Sequence, residues 1–512
     1  MNKLRLTLAL ASLAAALAVG TVSQGQSGAP APARGGTLNV ALTAEPAQLD
    51  PTQAAGAETV RIINLNVLEG LLGIDETGKI VPRLATALPT VSADGTEYTF
   101  NLRRGVRFHD GSAFTSADVK VKFDRARAKD TTHLSPTYYS DITGVTTPDD
   151  ATVVFKLGKP NTEFVYNIAR AESVIEPSAL FTTPAGLDQL KVKPIGTGPF
   201  RIRAWNRGNN LQLERNPDYY LRGLPYLDGV TFRFFGDDQN GRVAALRSGA
   251  VDVIGVPAEL AGTLRSDPQF KVYSGASSGE ITVSLNNGRK PFNDLRVRRA
   301  FTLAANKKEI VDGAFFGFGT VIGSFNSPGQ PYFIDLANKY PYNPESARKL
   351  LADAGYPNGL TVKFRVAAEF PIERRAAEVY ASQLARVGVT AQLEIIPFNQ
   401  WLQQVFLGKD YDLTIIGHAE SFDLDRYARD GYYFNWDNKA YKALYERALV
   451  TTDTAARTRL YWQMQTLLAD QAPGVWLFSA AAITAVRSNV YGWWTNAPTP
   501  NQNLLRIYKI GQ

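Results

Sequence analysis

Residues 92–123 read SADGTEYTFNLRRGVRFHDGSAFTSADVKVKF, and no other stretch of the chain is as informative about its fold. Tyr98, Phe100 and Leu102 alternate with polar neighbours, the two-residue period of a strand with one buried face. Asp94-Gly95 marks a tight turn before that strand, and Asp110-Gly111 a second turn after it. Ser116 stands where the N-cap of the next helix is expected, its hydroxyl placed to accept from amides of the first helical turn. The stretch predicts strand, turn and helix in direct succession.

Outward from it, strands and helices keep alternating. Thr37 to Leu42 (TLNVAL) reads as a strand, followed by a polar loop through Glu45, Asp50 and Pro51, then helical spacing from Val60 to Leu71. In the distal half Asn343-Pro344 supplies an N-cap and a first-turn proline, with Ala347, Leu350, Leu351 and Ala354 on one face and Gly355 as the stop. Glu373 to Val387 forms a second helix, closed by Gly388 and followed by the strand-like VTAQLEII. Tyr441–Leu449 and Ala455–Leu468 make a helical pair; Pro473-Gly474 stops the second, and Val475–Phe478 is a short apolar strand. The class is α/β, with no fixed-period repeat, and the length calls for more than one domain.

The first twenty residues, MNKLRLTLALASLAAALAVG, place Lys3 and Arg5 ahead of a short apolar run. The run falls below the ~20 residues that a spanning helix needs, so the segment reads as a secretory signal peptide. Residues 1–26 are taken as signal peptide and leader, and the Gly-, Pro- and Ala-rich 27–36 as a flexible linker. There is no cysteine. Disulfides are excluded, as is the lipid-bearing cysteine that tethers many exported proteins; a periplasmic location, not lipid-anchored, is expected. The 55 Lys plus Arg against 48 Asp plus Glu leave a net charge of +7, with both signs interspersed. Nucleic-acid binding gains no support from that pattern.

Several short motifs suggest chemistry. Gly275-Ala276-Ser277-Ser278-Gly279 satisfies G-x-S-x-G, but Ile281 to Leu285 alternates as a strand where a nucleophile elbow requires a helix. Gly73 to Lys79 spells most of a phosphate loop, yet Ile80 stands where a Ser or Thr must hold magnesium, and a hairpin turn is the better reading. His109, His133 and His418 show no metal-pair spacing. Asp423 and Asp425 alternate in a loop, a pattern typical of solvated carboxylates. No catalytic residue, metal site or cofactor is expected.

The phrase from Asp94 to Val119 closely resembles the signature of the family 5 solute-binding proteins of ABC importers. So do Gly196-Thr197-Gly198-Pro199-Phe200, the LRSGAVDV of 246–253, and the run from Leu285 to Ala300. The resemblance covers about the whole mature chain. It implies a two-lobed periplasmic binding protein fold, type II-like, with an additional domain and a ligand cleft between the lobes. Lobe I would comprise 37–66, 194–287 and 476–512, the additional domain 67–193, and lobe II 288–475. It further implies that the strand Asp412–Gly417 opens into the cleft, where backbone groups pair with an extended peptide and a nearby acid holds its amino end. The implied ligand-binding residues are Glu45 on the opposite wall, Gly417, His418, Ala419, Glu420 and Asp423; Phe292 and Trp401 are read separately as aromatic linings of the cleft, with ordinary core as the alternative. Counting from Gly417 puts Ser421 at the amino-anchoring position, a departure from the peptide-binder pattern.

The resulting expectation is an exported monomer that captures oligopeptides or dipeptides and delivers them to ABC permease subunits. The alternatives are a non-peptide solute (a nickel chelate, sugar or opine-like compound) or, from another class, a secreted serine hydrolase using Ser277.

Overall fold

The computed structural model describes residues 30–54, 56–418 and 423–511. Residues 30–32 belong to a separate leading unit; the second unit runs from Ala33 onward. Within it, Thr37–Leu42 is the parallel centre of a seven-stranded sheet. Its neighbours are Gly229–Phe234 on one side and Val253–Gly255 on the other. Asn210–Arg215 and Phe200–Asn206 continue the first edge, and Ala482–Arg487 and Phe270–Gly275 the second. Leu38, Val40 and Leu42 pack into one core with Val230 and Phe232, whereas Ala41 faces a different core with Leu246 and Ile254. Burial on both faces is what a central parallel strand requires.

A second, six-stranded sheet runs in the order Gly319–Val321, Gly474–Ala480, Glu280–Leu285, Leu413–His418, Leu360–Ala367 and Val389–Ile396. Two of these strands correct the boundaries expected from sequence. Glu280–Leu285 and Gly474–Ala480 pair with each other in this sheet, so the crossings between sheets fall at 276–279 and at 481. Alternation of Ile281, Val283 and Leu285 marks a strand but not its partner; only the pairing assigns it to a sheet.

The additional domain carries a four-stranded antiparallel sheet of Thr90–Val91, Glu97–Asn101, Thr152–Leu157 and Ile142–Asp149. Tyr98 and Phe100 point inward from the predicted strand, and Phe123 of helix Ser116–Ala126 meets Phe155 edge-on at 5.0 Å. The helix starts one residue earlier than expected. Thr115 is the N-cap and donates its amide to Asp118 at 2.9 Å, while Ser116 turns away to donate to the Asp149 carbonyl at 2.7 Å. The hairpin Leu72–Ile74/Ile80–Pro82 has the turn predicted for 73–79, closed by the Asp75 carboxylate accepting from the Thr77 and Lys79 amides.

Helical spacing over 60–71 overstates its helix, which is Ala57–Ile63. Asn66 explains the early end: its side-chain amide donates to the Arg61 and Ile62 carbonyls and also to the distant Gln502 carbonyl. The distal helices occur as Pro344–Asp353, Pro371–Ala385, Lys439–Val450 and Thr454–Gln471, with Asn343 capping the first through the Ser346 amide. No helix among the described residues is long and apolar enough to cross a membrane.

Candidate functional site

The strand Leu413–His418 lies inside the second sheet, antiparallel to Glu280–Leu285 and parallel to Leu360–Ala367. Its apolar run is buried until Gly417, where the main chain becomes exposed. A side chain at 417 would meet Glu373, whose Oε1 lies 2.8 Å from where a Cβ would stand. His418 ends the strand and is buried against Phe325, edge-on at 5.0 Å, with its Nε2 3.3 Å from the Tyr433 hydroxyl. Burial, reinforced by the Arg426 charge, pulls the imidazole down to about 3, so it is neutral near pH 7.

Ala419 and Glu420, like Ser421, lie outside the described residues. Asp423 begins the short 3₁₀ turn Asp423–Tyr427, and its carboxylate also lies outside the described part. Glu45 is committed to its own lobe: Oε1 accepts from the Trp205 indole and Oε2 from the Gly208 amide, both at 2.9 Å. Those bonds tie the loop after the first strand to the hairpin of 200–215. The two aromatic linings expected from sequence are core residues. Phe292 is fully buried, edge-on to Phe301 at 5.0 Å. Trp401 is buried behind the strand and donates its indole N–H to Thr414 Oγ1 at 2.8 Å. Large aromatic rings gain most by complete burial, which leaves neither a face for a ligand.

The two ends of helix Phe164–Ala169, the 3₁₀ turn Asp423–Tyr427 that follows the strand, and helices Lys439–Val450 and Thr454–Gln471 make a charged cluster that sequence reading missed. Glu163, from the additional domain, accepts from Tyr445 at 3.1 Å and from Tyr461 at 3.2 Å, both on helices of the second lobe. Thr162 beside it donates its amide to the Leu449 carbonyl at 2.8 Å. Burial, with the Asp425 charge adding to it, pushes the Glu163 carboxyl up to about 7. Asp425 is not the solvated loop carboxylate its sequence pattern suggests: its side chain is 22% exposed and paired with Arg429 at 2.5 Å. Burial raises its pKa, opposed by Arg429, Arg426 and Arg170. Arg170 itself stacks over Tyr138 and Tyr166 at 4.3 and 4.8 Å. No local signal marks these residues, because positions 163, 170, 425, 445 and 461 meet only in three dimensions.

Ser277 has a structural task. Its Oγ donates to the Ala480 carbonyl at 2.6 Å and accepts from the Gly279 amide at 3.0 Å, joining the two crossings between the sheets. The strand Glu280–Leu285 follows it directly, so the strand–turn–helix of a nucleophile elbow is not formed. His109 bridges two of the sequence phrases, accepting the Gly196 amide at Nδ1 (3.3 Å) with Nε2 at 3.0 Å from the Gly198 carbonyl.

The family model for bacterial extracellular solute-binding proteins, family 5 (Middle), matches residues 79–440. The glutathione-binding protein GsiB of Pectobacterium atrosepticum is 31% identical over 479 residues, covering 88% of this chain and 90% of its own. Among solved structures, the periplasmic binding protein AgaA of A. tumefaciens R10, in complex with agropinic acid, is 29% identical with a TM-score of 0.74. That match covers 93% of this chain and 99% of AgaA. DppA of Helicobacter pylori, in complex with the peptide STSA, is 25% identical with a TM-score of 0.74, covering 93% of this chain and 98% of its own.

Proposed function

The chain belongs to the bacterial extracellular solute-binding proteins of family 5, the binding components of ABC importers, and from that premise we propose that its own ligand is a short peptide or similar small zwitterion held at the exit of strand Leu413–His418. The observation that carries this reading is the charged cluster beyond the exit. Three guanidiniums, Arg170, Arg426 and Arg429, surround two carboxyls, Asp425 and Glu163, the second held near half-protonation at neutral pH. The guanidiniums of this cluster suit a ligand carboxylate. The amino end then falls to an acid of the segment leaving the strand, Glu420 or Asp423. Likeness to GsiB and to DppA with its bound peptide supports this substrate class.

The mechanism is closure. The lobes rotate about the crossings at 276–279 and 481, the ligand favours the closed form by its differential affinity, and the permease receives the closed shape. Export through a leader at residues 1–26 into a periplasm, and action as a monomer, complete the proposal. A second reading, a non-peptide carboxylate, is favoured by the likeness to AgaA with agropinic acid.

Native mass spectrometry of the protein purified from its own host, followed by denaturation, tests the proposal. A distribution of peptide masses at one per chain is expected. A single non-peptide mass would keep the transport role and replace the substrate class by the second reading.

A further inference from the structure

The additional domain and the second lobe enclose an open groove of about 890 Å³, within the ~300–1,000 Å³ typical of small-molecule sites. The additional domain contributes Lys79, Val91 and Tyr98, and the second lobe Tyr332, Arg457 and Trp462. The walls are held in place beside it by the Thr162–Leu449 backbone bond and by Glu163 with its two tyrosines. The groove is therefore preformed.

Its chemistry is one-sided. Val91 is 37% exposed and Trp462 41% exposed, apolar surface that gains free energy if covered. Tyr332 lies flat against Tyr461, centroids 4.4 Å apart and planes 5° apart, which gives the second-lobe wall a planar aromatic backing. Lys79 and Arg457 both line the groove, and no Asp or Glu does among the described residues. Arg457 is fixed in place, its Nε donating to the Tyr332 hydroxyl at 3.0 Å and its Nη1 to the Thr451 carbonyl at 2.9 Å. Asp75 caps the turn beside Lys79, accepting from its main-chain amide at 3.0 Å, but does not line the groove. A cationic, aromatic-lined groove without a carboxylate selects an anion that carries an apolar body.

We infer that this groove is a second binding site, distinct from the strand exit, for a small aromatic carboxylate whose ring rests on Trp462 and Val91 and whose carboxylate meets Lys79 and Arg457. The inference does not depend on the identity of the solute bound at the strand exit.

Titration calorimetry on the full chain with 4-phenylbutyrate tests it, with 4-phenylbutylamine and butyrate as probes lacking the charge or the ring. One phenylbutyrate per chain is expected, with much weaker binding of both controls. Lys79→Gln should weaken phenylbutyrate roughly tenfold by removing a charge-assisted bond, and Trp462→Glu should abolish binding. Both positions are exposed, so the fold survives either change, which a thermal melt verifies. Arg429→Gln, at the strand-exit cluster, should leave the affinity unchanged. Equal binding of the amine, indifference to Lys79→Gln and Trp462→Glu, absence of binding because only a protein partner covers the groove, or loss of binding in Arg429→Gln would each overturn the inference.

Discussion

Lys122 and Glu176 meet at 3.0 Å with side chains 4% and 1% exposed, a fully enclosed ion pair in the additional domain. Burial pushes the Glu176 carboxyl up to about 7, with Lys122 opposing and Asp50 adding. Removing one partner leaves a buried charge without its counter-ion, so Lys122→Met should lower unfolding stability by about 3–5 kcal/mol. The double change Lys122→Met/Glu176→Leu should restore most of it, because well-packed hydrophobes replace a buried pair at little cost. Urea denaturation of both variants decides the matter, and a single variant as stable as the parent would show that the pair is solvated. Nothing in the phrase VKVKF marks Lys122 as different from Lys120, which is 43% exposed and paired along the helix with Asp124. Which of two lysines is buried depends on Glu176, over fifty residues away.

At the scale of elements, the first turn of helix Ser116–Ala126 depends on Asp118 more than on the serine that sequence singles out. One Asp118 oxygen accepts from the Thr115 amide at 2.9 Å, the other from the Ser178 amide at 2.8 Å, so the residue caps the helix and moors a second segment to it. Asp118→Ala should cost about 1–2 kcal/mol in thermal or chemical denaturation. Ser116→Ala, which loses one neutral bond to the Asp149 carbonyl, should cost about 1 kcal/mol or less. Reversal of that order would return the capping role to Ser116. Strands, turns and helix stops were legible in the sequence to within a few residues here, because each rests on neighbours a turn or a pleat away. The early end at Ile63 was not legible, since Asn66 draws on the Gln502 carbonyl far along the chain.

For the molecule as a whole, Glu163 is the acid at the contact between the additional domain and the second lobe, faced by Tyr445, Tyr461, Asp425 and Arg170. Its carboxyl titrates at about 7 in this closed contact and at the ordinary 4.5 when freed. The closed arrangement therefore binds the proton more tightly. Its contribution is full below 4.5 and is lost as pH rises through about 7. The absence of native cysteine lets a pair of dyes be placed on the additional domain and on helix Lys439–Val450 through two introduced cysteines. Transfer efficiency between them should fall from pH 5 to pH 8 in the parent and stay nearly flat in Glu163→Gln. Identical profiles in the two proteins would remove Glu163 from the contact's pH response.

By itself the sequence determined the family, through the phrases at 94–119, 196–200 and 285–300, and with it the two-lobed α/β plan. It also placed a strand at Asp412–Gly417, within one residue of the observed Leu413–His418, because a mainly apolar run marks a strand buried on both faces. Tertiary structure alone decided which sheet Glu280–Leu285 and Gly474–Ala480 join, that Phe292 and Trp401 belong to the core, and that Asp425 is paired and largely enclosed. The physical reason is range. Periodicity and capping are written in adjacent residues, whereas burial and the charges around a carboxyl are set by whatever the fold brings to it, here Glu163, Arg170, Tyr445 and Tyr461 from opposite halves of the chain.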